Sequence, residues 1–193
     1  MIVIDGNIGS GKTTQLDLLE QKGFKVKREP IDKWPLQEFY DDPKRWSFYF
    51  HMVILKTQQS PTECVICERS LYSSRFVFWP ILLRDGTVTA NEDETYQYFW
   101  DKLKWCPELF IYLDKDPKLS HEHIQKRGQS GDTQISLEYL EKLDAEYKKL
   151  VLKIPCRVVV VNANRPAEDI HNEICQILGE YELLISDSIG QKV

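Results

Sequence analysis

The residues with the clearest chemical signature form the segment GNIGSGKTT, which directly follows the apolar run MIVID. Its glycines and the pair Lys12-Thr13 match the pattern G-x-x-x-x-G-K-[ST], in which backbone N–H groups curl around phosphate oxygens. Lys12 adds a positive charge, and Thr13 offers a hydroxyl ligand for Mg²⁺. We therefore predict a nucleoside triphosphate site, with contacts from Gly6, Asn7, Ile8, Gly9, Ser10, Gly11, Lys12, Thr13 and Thr14.

Charged residues at the ends of two later apolar runs are expected to face this loop. Glu29 ends the run FKVKRE, and Glu68 and Arg69 end the run CVICER. In an open parallel sheet the carboxyl ends of the strands meet at one crevice, so these side chains should converge near the phosphates. Pro30 keeps Glu29 out of a helical conformation. The alternative is that Glu29 is an exposed strand-end glutamate without a role.

The elements that must position these residues alternate between strands and helices. Short runs rich in valine and isoleucine predict strands at 1–5, 24–29, 64–68, 109–113 and 157–161. Helices are predicted at 12–22, 35–59 with a break at Pro43, 70–84, 91–103, 116–127, 137–151 and 166–179. This alternation is typical of an α/β protein with a parallel sheet, here in a single domain over 1–193. We expect a short lid at 128–136 and a loosely held tail at 182–193.

Composition limits the function classes. The 25 basic and 30 acidic residues give a net charge of −5, so no overall positive field favours nucleic acid or an anionic membrane. No signal peptide or membrane span is recognised, and an intracellular, cytoplasmic location is expected. The five cysteines are scattered, which favours free thiols; Cys64 and Cys67 form a C-x-x-C that reads as strand, with a zinc or redox role as the alternative.

Several segments in order resemble the deoxyribonucleoside kinase family, which includes deoxycytidine, deoxyguanosine and mitochondrial or viral thymidine kinases. The segments are GNIGSGKTT at 6–14, REP at 28–30, YDDPKRW at 40–46, ERSLYSSRFVF at 68–78, PELFIYL at 107–113 and LEYLEKL at 137–143. The resemblance, to a compact member of viral type, implies the P-loop kinase fold. It also implies Mg²⁺-dependent transfer of the ATP γ-phosphate to the 5'-hydroxyl of a deoxynucleoside, by a homodimer.

The resemblance also implies roles for individual residues. Glu29 would be the general base for the 5'-hydroxyl, and Arg69 would hold the 5'-oxygen and the phosphoryl group. Glu68 would bind Mg²⁺ with Thr13. The alternative metal ligand is Asp114, which follows LFIYL in the manner of a Walker B aspartate and which the resemblance does not favour. The remaining contacts would be made by Lys12 and Arg127 in catalysis, Arg165 at ATP, and Trp34, Tyr40, His51, Ser74, Phe78 and Asp132 at the deoxynucleoside.

The chain departs from the family pattern at the base and at the lid. His51 stands where the family has a glutamine that pairs twice with the base, and it is either a base contact or a satisfied buried histidine. Ser74 stands where cytidine- and purine-preferring members have aspartate, which favours thymidine or another pyrimidine. The lid retains few arginines, so we expect a slower enzyme or one that recruits Arg75 or Arg165.

Two other functions fit parts of the pattern. A thymidylate-type nucleoside monophosphate kinase has the same loop and sheet, but Glu29 would repel its dianionic acceptor. A non-catalytic nucleotide sensor is suggested by the lid, whereas Glu29 and Arg69 argue against it. A GTPase is disfavoured because no N-K-x-D motif is present.

Overall fold

The computed structural model of the chain describes residues 1–61, 65–128 and 134–190, with side chains up to Tyr181. Its centre is a parallel sheet made of the strands β1 Ile2–Gly6, β2 Val26–Lys27, β3 Ile66–Glu68, β4 Leu109–Asp114 and β5 Arg157–Asn162. The strand order is β2-β3-β1-β4-β5. The predicted α/β fold with five parallel strands is therefore confirmed.

Alternate residues of the central strands pack on opposite faces of the sheet. Val3 of β1 and Phe110 of β4 belong to one hydrophobic cluster, whereas Ile2, Ile4 and Ile111 belong to the other. A strand that is buried on both faces needs apolar residues at every position. This explains why MIVID and LFIYL are continuous apolar runs. Because β1 and β4 pair in parallel, the ends of both strands lie at the same edge of the sheet.

Helices cover both faces and connect the strands. They are α1 Lys12–Gln21, α2 Leu36–Asp41, α3 Pro43–Thr57, α4 Leu71–Ser73, α5 Trp79–Arg84, α6 Ala90–Leu103, α7 Pro117–Arg127, α8 Leu137–Val151 and α9 Ala167–Gly190. The predicted break at Pro43 is confirmed. The Asp42 carboxylate accepts a hydrogen bond from the Arg45 N–H at 3.2 Å, and proline suits the first turn of the new helix.

The predicted single helix at 70–84 is interrupted. A π-helical turn, Ser74–Phe78, separates α4 from α5. Pro80 has no N–H to donate to the carbonyl four residues earlier, which favours a wider turn here. The turn carries Ser74 and Phe78, two of the predicted substrate residues, and single π turns often occur at functional sites.

The predicted end of the last helix is wrong. Helix α9 continues to Gly190 instead of ending at residue 179, so most of the expected tail at 182–193 is helical backbone. Gly179 lies within the helix, where glycine costs about 1 kcal/mol relative to alanine but does not force an end. Residues 129–133 of the predicted lid lie outside the described residues. Within the described ranges, no helix is both long and apolar enough to cross a membrane.

Candidate active site

The phosphate loop lies between β1 and α1, as predicted. Gly9 has φ 77° and Gly11 has φ 96°, both in the left-handed region that favours glycine. A Cβ atom on Gly9 would also lie 2.7 Å from the Ser120 carbonyl oxygen of α7. The loop therefore needs glycine at this position both for its backbone conformation and for its contact with α7.

Lys12 is folded back over its own loop. Its Nζ donates hydrogen bonds to the carbonyl oxygens of Gly6 at 3.0 Å and Asn7 at 2.7 Å. Burial and, after it, the nearby Arg69 guanidinium lower the pKa of Lys12 to about 7, against the opposing effect of neighbouring carboxylates. A phosphate group bound in the loop would give this ammonium group a negatively charged partner in place of the two carbonyl oxygens.

Glu29 and Arg69 form a direct pair at the edge of the sheet. Arg69 Nη1 lies 2.5 Å from Glu29 Oε2, and Gln58 Nε2 donates to the other carboxylate oxygen at 3.0 Å. Glu29 lies two residues beyond β2, which is shorter than predicted. Burial raises the pKa of Glu29, and the adjacent Arg69 opposes the rise. A carboxylate that is shielded from water and held by two donors is well oriented to act as a base.

Arg69 has an unusual backbone conformation. Its φ is 57°. Among the described residues, Arg69 is the one residue other than glycine that has a positive φ. Left-handed conformations are uncommon for residues with a Cβ atom and cluster at functional sites. Its backbone N–H donates to the Ile4 carbonyl at 3.0 Å, so the strained residue is fixed against β1.

Besides Gln58, two residues of this cluster were not identified from the sequence. Asp5, at the end of β1, is fully buried, and its Oδ1 accepts a hydrogen bond from the Tyr147 hydroxyl of α8 at 2.8 Å. The same hydroxyl accepts from Arg69 Nε at 3.3 Å. Burial raises the pKa of Asp5, while Arg69 and Lys12 oppose this rise. Tyr147 thus connects a helix on one side of the sheet to the arginine beside Glu29.

Thr13 and Glu68 provide adjacent oxygen atoms at the mouth of the phosphate loop. Thr13 Oγ1 lies 3.4 Å from Glu68 Oε1, and Glu68 Oε2 accepts from the Glu29 backbone N–H at 3.4 Å. A hydroxyl and a carboxylate are donors that suit Mg²⁺, which commonly takes one or two protein ligands and completes its shell with phosphate and water oxygens. Among the described residues, no group of three or more histidine, cysteine or acidic side chains forms a larger metal site.

Of the three aromatic residues predicted as walls of the nucleoside site, Phe78 contacts this cluster. Phe78 is half-buried, and the guanidinium carbon of Arg69 lies 5.3 Å from its ring centre. Trp34 is also half-buried and donates from Nε1 to Thr57 Oγ1 of α3 at 2.9 Å. Tyr40, at the end of α2, is half-buried with its ring 5.4 Å from that of Phe39.

The two residues that depart from the family pattern at the base contact one another. His51 Nδ1 lies 3.0 Å from Ser74 Oγ, and Ser74 Oγ lies 2.9 Å from the Tyr96 hydroxyl. His51 is only 2% exposed, and burial lowers its pKa to about 3, so its ring is neutral at physiological pH. His51 is therefore a buried and hydrogen-bonded histidine. Among the described residues its hydrogen bond is made by Nδ1, so Nε2 is available for a base contact.

Two of the arginines that were expected to act at the phosphates are paired with acidic side chains. Arg165 donates from Nε to the Asn162 carbonyl at 3.1 Å and forms an ion pair with Glu173. Arg75 pairs with Asp93 at 3.0 Å, away from the phosphate loop. Arg127 lies in the last turn of α7, and Asp132 lies outside the described residues.

The fold and this cluster together define a class of protein. A phosphate loop at the carboxyl edge of a parallel sheet, beside a buried carboxylate-arginine pair, is the arrangement of a P-loop phosphotransferase. The sequence profile of the deoxynucleoside kinase family matches residues 2–186. The chain belongs to the deoxynucleoside kinase family and is an ATP-dependent kinase of deoxynucleosides.

Individual relatives agree with this assignment, and a solved structure has the same fold. The chain is 34% identical over 186 residues to "Putative kinase protein 029R" of Invertebrate iridescent virus 3, covering 92% of this chain and 95% of that protein. It is 30% identical to deoxycytidine kinase 2 of Gallus gallus, over 81% of this chain and 76% of the relative. The fold matches deoxyadenosine kinase of M. mycoides, solved with dCMP and a flexible dCDP bound, with a TM-score of 0.84, 24% identity and coverage of 94% and 100%.

Proposed function

We propose that this kinase transfers the γ-phosphate of ATP to the 5'-hydroxyl of thymidine or another pyrimidine deoxynucleoside, with Glu29 as general base. The observation that carries the proposal is the 2.5 Å contact between Arg69 and the buried Glu29 carboxylate. This pair adjoins the phosphate loop through Glu68, which contacts both Thr13 and the Glu29 backbone. Donor phosphate, metal and acceptor hydroxyl can thus meet in one crevice.

Glu29 has the surroundings that a general base needs. An alcohol is a poor nucleophile, and a carboxylate within hydrogen-bond distance both orients it and accepts its proton. The raised pKa of Glu29, caused mainly by burial, increases its affinity for that proton. When the 5'-hydroxyl binds, it would take the place of one of the present donors, Gln58 or Arg69. Arg69 would then stabilise the charge that develops on the transferred phosphoryl group.

The charged groups around Glu29 have complementary roles in the proposal. Lys12 would leave the carbonyls of Gly6 and Asn7 and bind the phosphates, with Arg127 and Arg165 approaching ATP from outside. Thr13 and Glu68 would hold Mg²⁺. When bound, this ion neutralises phosphate charge and orients the γ-phosphoryl group.

The preference for pyrimidines rests on the surroundings of Ser74. A small neutral side chain at this position bonds to His51 and Tyr96 and leaves no carboxylate to pair with the amino group of a purine or cytosine. Trp34, Tyr40, Phe78 and, from the lid, Asp132 would enclose the sugar and base. Named relatives include deoxycytidine kinase 2 of Gallus gallus and mitochondrial thymidine kinase 2 of Homo sapiens, which is 27% identical over 87% of this chain and 72% of its own length.

A homodimer is part of the proposal. Exposed aromatic side chains lie on α6 and on the π-helical turn: Tyr98 is 60%, Phe76 41% and Phe99 40% exposed. Several exposed aromatic side chains in one region of the surface are typical of a site that binds a protein partner. Sedimentation equilibrium should give twice the monomer mass for the wild type, and Tyr98→Asp should shift it towards the monomer. A wild-type monomer at micromolar concentration would contradict this part.

The activity is tested with radiolabelled ATP, Mg²⁺ and a panel of the four deoxynucleosides and their 5'-monophosphates. We expect the label on thymidine in preference to the other three deoxynucleosides, giving the 5'-monophosphate. A Lys12→Met preparation, purified identically, controls for contaminating host kinases. Label on thymidylate but not on thymidine would instead indicate a monophosphate kinase, and a preference for purine deoxynucleosides would contradict the base assignment.

A further inference from the structure

Three polar side chains form an isolated hydrogen-bonded row behind the proposed base site. It runs from His51 Nδ1 to Ser74 Oγ over 3.0 Å and from Ser74 Oγ to the Tyr96 hydroxyl over 2.9 Å. His51 is 2%, Ser74 5% and Tyr96 0% exposed. Because Tyr96 is fully buried, water does not reach its hydroxyl group. The acceptor of the Tyr96 hydroxyl proton must therefore be a protein atom.

The direction of this row follows from its inner end. Among the described residues, the Tyr96 hydroxyl forms its hydrogen bond with Ser74. If Ser74 donated to Tyr96, the phenolic proton would be buried without an acceptor, which costs about 1–3 kcal/mol. If Tyr96 donates to Ser74, the serine proton is free to go to His51 Nδ1. Both hydroxyl donors of the row are then satisfied.

The ring of Tyr96 is held in place, so it has little freedom to seek another acceptor. It stacks on Trp79 with ring centres 4.0 Å apart and an angle of 19° between the planes. Trp79 is anchored in turn by its Nε1, which donates to Asp93 at 2.7 Å. The edge of His51 also contacts both rings, at 5.2 Å from Trp79 and 5.8 Å from Tyr96.

The row determines which nitrogen of His51 carries the proton. A neutral imidazole has one N–H and one acceptor nitrogen, and the hydrogen bond at one nitrogen determines the state of the other. Because Nδ1 accepts from Ser74, Nε2 carries the hydrogen. Nε2 forms no hydrogen bond with any of the described residues, so it is the nitrogen that is available to a ligand.

We propose that Tyr96 is a positioning residue that, through Ser74, fixes His51 as an Nε2–H donor, and that this donor binds a hydrogen-bond acceptor on the nucleobase. The inference rests on the proposed function, since it assumes that a deoxynucleoside base lies at His51. A lone donor fits both the O4 carbonyl of thymine and the unprotonated N3 of cytosine. The row therefore selects a base edge that offers an acceptor, and by itself it does not separate thymidine from deoxycytidine.

The tautomer is tested on the free enzyme by NMR of protein labelled with ¹⁵N-histidine, with the His51 signals assigned from a His51→Gln variant. We expect Nε2 protonated and Nδ1 unprotonated in the wild type. In Tyr96→Phe the fixing donor is lost, so the protonated fraction at Nδ1 should rise. Trp79→Phe disturbs the same aromatic cluster but keeps the row, and should leave the tautomer unchanged. A protonated Nδ1 in the wild type, or an unchanged tautomer in Tyr96→Phe, would overturn the inference.

The base contact is tested by titrating the labelled enzyme with thymidine and with deoxycytidine. Either nucleoside should shift the Nε2–H signal at saturation, and an analogue with C–H in place of the cytosine N3 should bind about 10-fold or more weakly than deoxycytidine. In Tyr96→Phe, KM for the nucleoside should rise about 10-fold while KM for ATP and kcat stay within about 2-fold. An unmoved Nε2–H signal at saturation would overturn the contact. Failure to phosphorylate any deoxynucleoside would refute the proposed function but leave the tautomer result readable.

Discussion

The burial of His51 makes folding stability depend on pH in a calculable way. Burial lowers its pKa from the ordinary value of 6.5 to about 3. The unfolded chain therefore binds a proton at His51 below pH 6.5, whereas the folded chain does not. The contribution of His51 to stability must fall as the pH decreases from about 6.5 towards 3, because protonation of His51 then favours the unfolded state.

The size of this effect at pH 5 follows from the same two values. The pH lies about 1.5 units below the unfolded pKa, and each unit corresponds to about 1.36 kcal/mol, which gives about 2 kcal/mol. Because His51 is 2% exposed, solvent screening does not reduce the effect appreciably. Tyr96, the titratable group in contact with the same row, has a pKa raised by burial and stays neutral over this range.

The assay is urea unfolding of the wild type and of His51→Gln, followed by circular dichroism at about pH 7.5, 6 and 5. Buried Glu29 and Asp5 have raised pKa values and favour the folded state in acid, but both proteins share these groups, so their effect cancels in the difference. His51→Gln should be less stable at pH 7.5, and the gap should shrink by about 2 kcal/mol at pH 5. A gap that does not change with pH would refute the burial of a neutral His51.

Three further predictions concern the loop, the buried tyrosine and the metal. Gly9→Ala should weaken ATP binding about 10-fold or more in calorimetry, because its Cβ would clash with the Ser120 carbonyl; Gly23→Ala, also at positive φ but in open space, should bind ATP normally. Tyr147→Phe should lower the free energy of unfolding by about 1–3 kcal/mol in urea titrations, because Asp5 loses a buried hydrogen-bond donor, and an unchanged midpoint would contradict this. Glu68→Gln should raise the Mg²⁺ concentration needed for half-maximal activity with little change in stability, and an unaltered Mg²⁺ titration would remove Glu68 from the metal site.

The sequence predicted best those features that depend on local spacing. The phosphate loop needs its glycines and lysine at fixed positions, so GNIGSGKTT identified both the strand before it and the helix after it. The ends of parallel strands must meet at one edge, and this predicts that Glu29, Glu68 and Arg69 lie close together. The family resemblance then assigned chemistry that spacing alone leaves open.

The features that were missed depend on contacts between distant parts of the chain. In the sequence, Asp5 is the last residue of a strand and Tyr147 is one apolar position of an amphipathic helix. The hydrogen bond from the Tyr147 hydroxyl to the Asp5 carboxylate joins residues that are 142 positions apart, so neither residue indicates the other. Gln58 similarly reads as the end of a helix and not as a partner of Glu29. Such pairings are decided by how α3 and α8 pack on the sheet. The extension of α9 past Gly179 was missed for another reason, since a single glycine weakens a helix without ending it.

The role of Glu29 is the central claim, and single-turnover phosphorylation by Glu29→Gln tests it most directly. The substitution keeps the shape and the contact with Arg69 but removes the proton acceptor. Rapid-quench measurements with Mg²⁺, ATP and thymidine should show a phosphoryl-transfer rate about 100-fold or more below wild type, with thymidine binding changed little. Glu20→Gln, the same change at an exposed glutamate of α1, should retain the wild-type rate. A Glu29→Gln enzyme that transfers phosphate at nearly the wild-type rate would contradict the account.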